Sequence, residues 1–203
     1  MQPCDSKLTA PCDGAAHEPE YVVRSVEVYP RYEALLDLAS RARSRASIEE
    51  LAVCISNGWR FCANVIRWRL IAECAERLLV IDFDGIEIVV SDMTIVELPS
   101  ADQTFWDKRI PMHLRPKQIA ESPLVFPEHL KGENVRDIVV LPLDSEGRGL
   151  RILALICSGQ PGFSVVDMKF VLAVGNMFAS EVSYLMVVSR LTQALQRPGI
   201  QAS

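Results

Sequence analysis

The chain has no surplus of positive charge, no C-x-x-C pair and no long uncharged apolar run. Its 21 Lys and Arg residues stand against 26 Asp and Glu, a net charge of −5 over 203 residues. Nucleic acids and anionic membranes select basic surfaces, so neither is expected as a partner. The short run "RARSR", Arg41 to Arg45, reads as a solvated helix face. Apolar runs are broken by charge before the roughly 18 residues that a membrane span needs. The start "MQPCDSKLTAPCDG" lacks a basic segment followed by an apolar block, so no signal peptide is read and a cytoplasmic protein is expected. The six cysteines (Cys4, Cys12, Cys54, Cys62, Cys74 and Cys157) are scattered, and in a reducing compartment they read as free thiols, several of them buried.

Catalytic signatures are missing as well. There is no G-x-S-x-G, P-loop, H-E-x-x-H or G-x-G-x-x-G. "SEGRG" (145–149) is glycine-rich, but it joins two antiparallel strands and so presents no helix N-terminus to a phosphate. Glu121, Glu128 and Glu133 fall in loops with nothing to pair them as acid and base. The expectation is a protein that is not an enzyme.

What is present is regular patterning. Residues 1–29 read as a flexible tail, 30–197 as one folded domain and 198–203 as a second tail. From Pro30 a helix is expected, with Tyr32, Leu35, Leu36, Ala39 and Ala42 on one face. Ser47 and Glu50 form an S-x-x-E capping box that opens a second helix, closed at Asn57-Gly58. In "ANVIRWRLIAE" Ile66, Trp68 and Leu70 alternate with Arg67 and Arg69, the pattern of a strand with one face in the core and one in water. "RLLVIDF" and "IEIVVS" flank the Asp84-Gly85 turn as a hairpin.

The segment 94–136 is less regular. "SADQTFWDKRI" predicts a short helix with Ser100 and Gln103 as a second capping box, and Pro111, Pro116, Pro123 and Pro127 then prevent long elements. "IVVLPLDSEGRGLRILAL" (138–155) reads as a closing hairpin. A helix from Ser164 to about Gln196 ends the domain and would run nearly 50 Å. The order predicts an α+β fold: an antiparallel sheet of about five to six strands, with N-terminal helices and a long C-terminal helix packed on it. That last helix is too apolar for one sheet to cover, so a homodimer through it, together with the Tyr32–Ala42 helix, is expected.

"VRDIVVLPL" (135–143), the turn glycines Gly147 and Gly149, "LRILAL" (150–155), and Phe163 followed by Asp167 and an apolar helix together resemble a GAF domain, over roughly residues 30–190. The family is known for small-molecule sensing in bacterial signalling proteins. Phe163 is expected to plug the sheet–helix junction, and Asp167 to sit near the positive end of the helix. Three specialised forms of the family fit poorly. Cyclic-nucleotide binders carry a Glu where this chain has Met168, bilin carriers a Cys-His pair, and methionine-sulfoxide reductases clustered loop cysteines; this chain has none between Cys74 and Cys157. A haem or iron ligand would have to come from His113 or His129. A PAS domain shares the sheet plan but inserts helices where the Asp84-Gly85 hairpin leaves no room.

The resemblance implies a regulatory, non-catalytic domain of unknown cofactor. Its small-molecule ligand would lie between the sheet and segment 94–136, lined by Trp68, Trp106, His113, Phe126 and Arg136. The chain shows no kinase, cyclase or DNA-binding segment, so either the output is expected through a downstream signalling protein in trans or the chain is a fragment of a larger signalling protein. The rival expectation is a ligand-free dimerising adaptor, its pocket filled by its own bulky side chains.

Overall fold

The computed structural model describes residues 21–74, 76–132, 134–144 and 150–196. Residues 1–20 of the expected tail 1–29, the expected tail 198–203, the glycine turn 145–149, Cys4, Cys12 and Glu133 lie outside these residues, whereas 21–29 are helical.

Six strands form one antiparallel sheet: β1 (Val65–Cys74), β2 (Arg77–Phe83), β3 (Ile88–Met93), β4 (Met112–Leu114), β5 (Asp137–Asp144) and β6 (Arg151–Ser158). Their spatial order is β3-β2-β1-β6-β5-β4. β1 and β6 are therefore central, and β3 and the three-residue β4 are the edges. Sequence patterning does not show β4, because Pro111 and Pro116 bracket it. Prolines are tolerated beside an edge strand, where one side needs no ladder partner.

Three helices pack on one face: α1 (Tyr21–Arg43), α2 (Ile48–Ala63) and α5 (Val165–Gln196). Their shared core closes on an aromatic cluster. Trp68 of β1 meets Trp59 of α2 at 5.5 Å and Phe178 of α5 at 5.3 Å between ring centroids, in edge-on arrangements. Both indole N–H groups are satisfied, Trp68 donating to Ser56 Oγ at 3.0 Å and Trp59 to the Val171 carbonyl at 3.4 Å. The other face is covered by α3 (Ser100–Lys108), α4 (Pro116–Glu121) and the chain between them and β5.

Several local expectations are corrected by packing. α1 does not begin at Pro30; it starts at Tyr21 and holds Pro30 inside. α2 does not stop at Asn57-Gly58 but runs to Ala63, capped by Asn64 in the left-handed region at φ 51°. Gly58 is buried in mid-helix, and a Cβ there would fall on the Leu38 side chain of α1, so it permits helix contact rather than a turn. Ser47 does cap α2, accepting from Glu50 N–H at 3.2 Å. α3 has no capping box: Ser100 Oγ accepts from Val125 N–H at 2.9 Å, and Gln103 Nε2 donates to the Leu98 carbonyl at 2.7 Å. α5 has a reciprocal one, with Asp167 N–H to Ser164 Oγ at 3.1 Å and Ser164 N–H to Asp167 Oδ2 at 2.9 Å.

α1 and α5 run side by side and parallel. Arg31 pairs with Asp167 at 2.8 Å, Tyr32 meets Phe170 at 5.1 Å, and Arg43 lies 3.9 Å from Glu181. Contrary to the spacing of charges, Val165–Thr192 is long and apolar enough to cross a membrane by length and composition alone. Much of that composition is used internally, since Phe170, Val171, Val174, Phe178, Ala179, Val182 and Met186 are buried in the helix-side core.

Replacing Gly58 by alanine should lower stability by about 1–3 kcal/mol, as overpacked cores do, although alanine is the better helix former. Urea denaturation of the two proteins checks this; an unchanged or raised midpoint contradicts the close-contact role.

Candidate functional site

The second face of the sheet carries the family's expected ligand position, so its residues are taken in turn. Ile71, Val80, Val140, Leu153, Leu155 and Cys157 point away from the helices and are buried beneath Phe105, Trp106 and Phe126 of the covering segment. Both faces are therefore dry, and the "water" side assigned to β1 from its alternation is an error. Arg69, which alternation places in solvent, is 7% exposed.

Arg69 is buried because acids meet it. It stands opposite Asp82 across the β1–β2 ladder and binds it in a bidentate pair, at 2.6 Å from Nε and 2.7 Å from Nη2. Its Nη1 donates to Asp102 Oδ2 of α3 at 2.5 Å. His129 Nε2 lies 3.1 Å from Asp82 Oδ1, on the turn 128–130 whose Leu130 is fully buried. The cluster thus staples α3 and the 128–130 turn to the sheet. Burial pushes the Asp102 carboxyl up, against the pull of Arg69. Burial also works to raise Asp82, but His129 and Arg69 outweigh it and hold that carboxyl below the ordinary range. Arg67 adds a second clasp on the turn, donating to the carbonyls of His129 at 3.2 Å and Lys131 at 2.9 Å. Cys157 donates its thiol to the Leu130 carbonyl, and burial pushes its pKa up to about 12, so it is no nucleophile.

The five residues expected to line one pocket do not share one. Trp68 is corrected most firmly: it is fully buried on the helix side, away from segment 94–136. Trp106 and Phe126 both belong to the second core, at 3% and 2% exposure, and Phe126 meets Phe105 at 6.0 Å between ring centroids. The Arg151 guanidinium stacks 4.9 Å from the Trp106 ring. His113 on β4 faces the loop before α5, 3.5 Å from Asp137 Oδ2 and 6.5 Å from the Phe163 ring. Arg136 lies at the sheet end, its guanidinium meeting the Gln160 carboxamide oxygen. Asp137 is the residue that sequence reasoning missed. Its Oδ2 accepts from Phe163 N–H at 2.7 Å, tying β5 to the entry of α5, and a Cβ at Gly162 would fall on that oxygen. No motif marks it.

A cleft of about 360 Å³ opens between α4 and the 130–135 segment, lined by Pro116, Ile119, Ala120, Leu130, Lys131 and Val135, with Ser122 and Gly132 at its rim. It borders the second core but is not buried within it. Among the described residues no group of three His, Cys, Asp or Glu side chains could hold a metal ion.

Asp82→Asn should cost about 3–5 kcal/mol at neutral pH, as breaking a buried pair does. Because the folded Asp82 pKa is lowered, its contribution is present above the ordinary 3.8 and is lost as pH falls through the folded value. The gap between variant and wild type should therefore narrow in acid. Denaturation at neutral and at acid pH measures it; a gap independent of pH contradicts the assignment.

No protein-family model matches the chain, and no curated protein does. Solved structures do match. One is the GAF domain of an Acinetobacter phosphoenolpyruvate-protein phosphotransferase, with TM-score 0.56 and 13% identity, covering 85% of this chain and 98% of that one. Another is the GAF domain of a phosphoenolpyruvate-protein phosphotransferase from Coxiella burnetii, with TM-score 0.56 and 11% identity, covering 82% and 98%. A third, described as a GAF sensor protein from Burkholderia vietnamiensis, has TM-score 0.53 and 14% identity and covers 81% and 94%. Identities this low speak to the fold alone, and on that ground the chain folds as a GAF domain.

Proposed function

We propose that the chain is a non-catalytic regulatory domain that senses a small molecule and signals through a dimer helix bundle to a separate protein in the cytoplasm. The observation that carries this reading is the apolar stripe along the parallel α1–α5 pair. Tyr29, Tyr32 and Leu36 stand exposed at three- and four-residue steps on α1, and Tyr184, Val187, Val188 and Leu191 on α5. A second copy of the same surface is the natural cover for such a stripe. The cleft of about 360 Å³ under α4 falls within the lower range of small-molecule sites, and its lining is mainly apolar with one lysine. A ligand there would press on the Leu130 turn, which Arg67 and His129 hold to the sheet. Asp137 then links the sheet to the start of α5. The buried acids and the histidines are engaged with one another or with arginine: His129 and Arg69 with Asp82, Arg69 with Asp102, and His113 beside Asp137.

A second reading, the ligand-free adaptor, is favoured by one specific observation. Trp106 and Phe126 fill the inner space between sheet and cover. The two readings share the dimer and differ in the cleft.

A native mass spectrum of freshly purified protein separates them. A dimer carrying a reproducible small mass is the expected result, and a dimer of bare chains that no compound screen alters selects the adaptor. Leu36→Glu with Leu191→Glu should convert the dimer to monomer without loss of helicity. A wild-type monomer, or a dimer untouched by both charges, overturns the bundle.

A further inference from the structure

Five stretches of chain meet at the end of the sheet where β1 begins and β2 ends. The last turn of α2 brings Arg60 and its cap Asn64, β1 brings Arg67, the β2–β3 turn brings Asp84, and two loops bring Asn134 and Gln160. They surround an open cleft of about 600 Å³ that shares no lining residue with the one under α4.

Its charge is unlike the rest of this acidic protein. Arg31, Arg41, Arg69 and Arg77 each have an aspartate within 3.0 Å. Arg60 and Arg67 make no close ion pair of that kind among the described residues, though Asp84 lies near enough to feel the charge of Arg67. Arg60 Nη2 donates to the Gly85 carbonyl at 2.7 Å, and Arg67 to the carbonyls of residues 129 and 131. A carbonyl satisfies a donor but cancels no charge. A guanidinium has five N–H donors, so each arginine keeps several unused. The carboxylate at the cleft, Asp84, has its Oδ1 engaged by the turn, accepting from the N–H groups of Glu87 at 2.9 Å and Ile86 at 2.8 Å; these bonds and the nearby positive charges of His129 and Arg67 hold it below the ordinary carboxylate range.

The two arginines are also held in place. Arg60 lies over the Phe83 ring at 5.2 Å. The Gly85 carbonyl receives Arg60, and the Arg67 stem passes the same glycine, whose absent Cβ would lie 3.9 Å from Arg67 Cγ, before its guanidinium reaches Gly132. Gly85 has φ 105°, a conformation glycine adopts freely, and a Cβ would press on the Ile66 carbonyl at 3.3 Å. Gln160, with its oxygen taken by Arg136, retains its NH₂ group as a donor.

We propose that this cleft binds a small anion, a phosphate or carboxylate group held by Arg60 and Arg67, with the Asn134 and Gln160 carboxamides meeting the polar body of the ligand. The site is separate from the cleft under α4 and does not depend on it. Because Arg67 also holds the 129–131 carbonyls, occupancy would be felt by the turn that closes the second core.

The test is a titration of the ¹⁵N-labelled full chain with inorganic phosphate and, separately, with succinate, at constant ionic strength set by chloride. Saturating shifts at the Gly85, Asn134 and Gly159 amides and at Arg60 Nε are expected. Arg60→Gln should weaken binding about tenfold, the worth of one charge-assisted hydrogen bond. It leaves the Arg67 clasp intact, so its effect is not one of misfolding; Arg67→Gln should weaken binding at least as much. Saturation by phosphate alone assigns a phosphate ligand, and saturation by succinate alone assigns a carboxylate. Shifts that rise linearly with both anions, that survive Arg60→Gln, or that centre on Ile119 and Leu130 overturn the proposal.

Discussion

A guanidinium that water hardly reaches sets the terms for this fold. Arg69 stands in the middle of the sheet with two aspartates closed around it. A buried cation is tolerated only with its charge and donors answered. Asp82 answers from the neighbouring strand, and Asp102 must come from α3. The covering segment, whose prolines deny it long elements, is thereby tied to a defined place on the sheet. Trp68, one residue earlier, turns to the opposite face and anchors α2 and α5 through Trp59 and Phe178. Two adjacent residues of one strand thus organise both layers of the molecule, because side chains of a strand alternate in direction.

This arrangement separates two surfaces physically. The helix side ends in a parallel α1–α5 pair with apolar side chains facing outward. The covered side ends in clefts at its margins rather than a cavity at its centre. Beside the packed sheet, a few polar ties join them: His129 to Asp82, Arg67 to the 129–131 carbonyls, and Asp137 to the entry of α5. Polar ties of this kind have definite made and broken states, which suits a regulatory domain better than a uniformly packed one.

The sequence was most legible where one physical signal acted alone. The Asp84-Gly85 turn, the Ser47 cap, the apolar strands 138–143 and 150–157 and the Ser164 helix start each follow from local chemistry, and each is found. It misled where a tertiary partner changed the meaning of a residue. Gly58 has the look of a helix end but serves helix packing. Arg69 has the look of a solvent residue but is buried, since nothing near it in sequence announces Asp82 or Asp102. Trp68, Trp106, His113, Phe126 and Arg136 have the composition of a pocket, yet the fold distributes them over both faces and one end of the sheet.

By itself the sequence determined the longer elements, their order and the antiparallel α+β plan, though not β4 or α4, because periodicity, caps and turn residues are short-range properties. Only the tertiary structure decided which face each side chain serves, which charges meet, and where open space remains. Those depend on strand order and register, which bring together residues such as Arg69 and Asp102, 33 positions apart in the chain. No local pattern encodes that meeting.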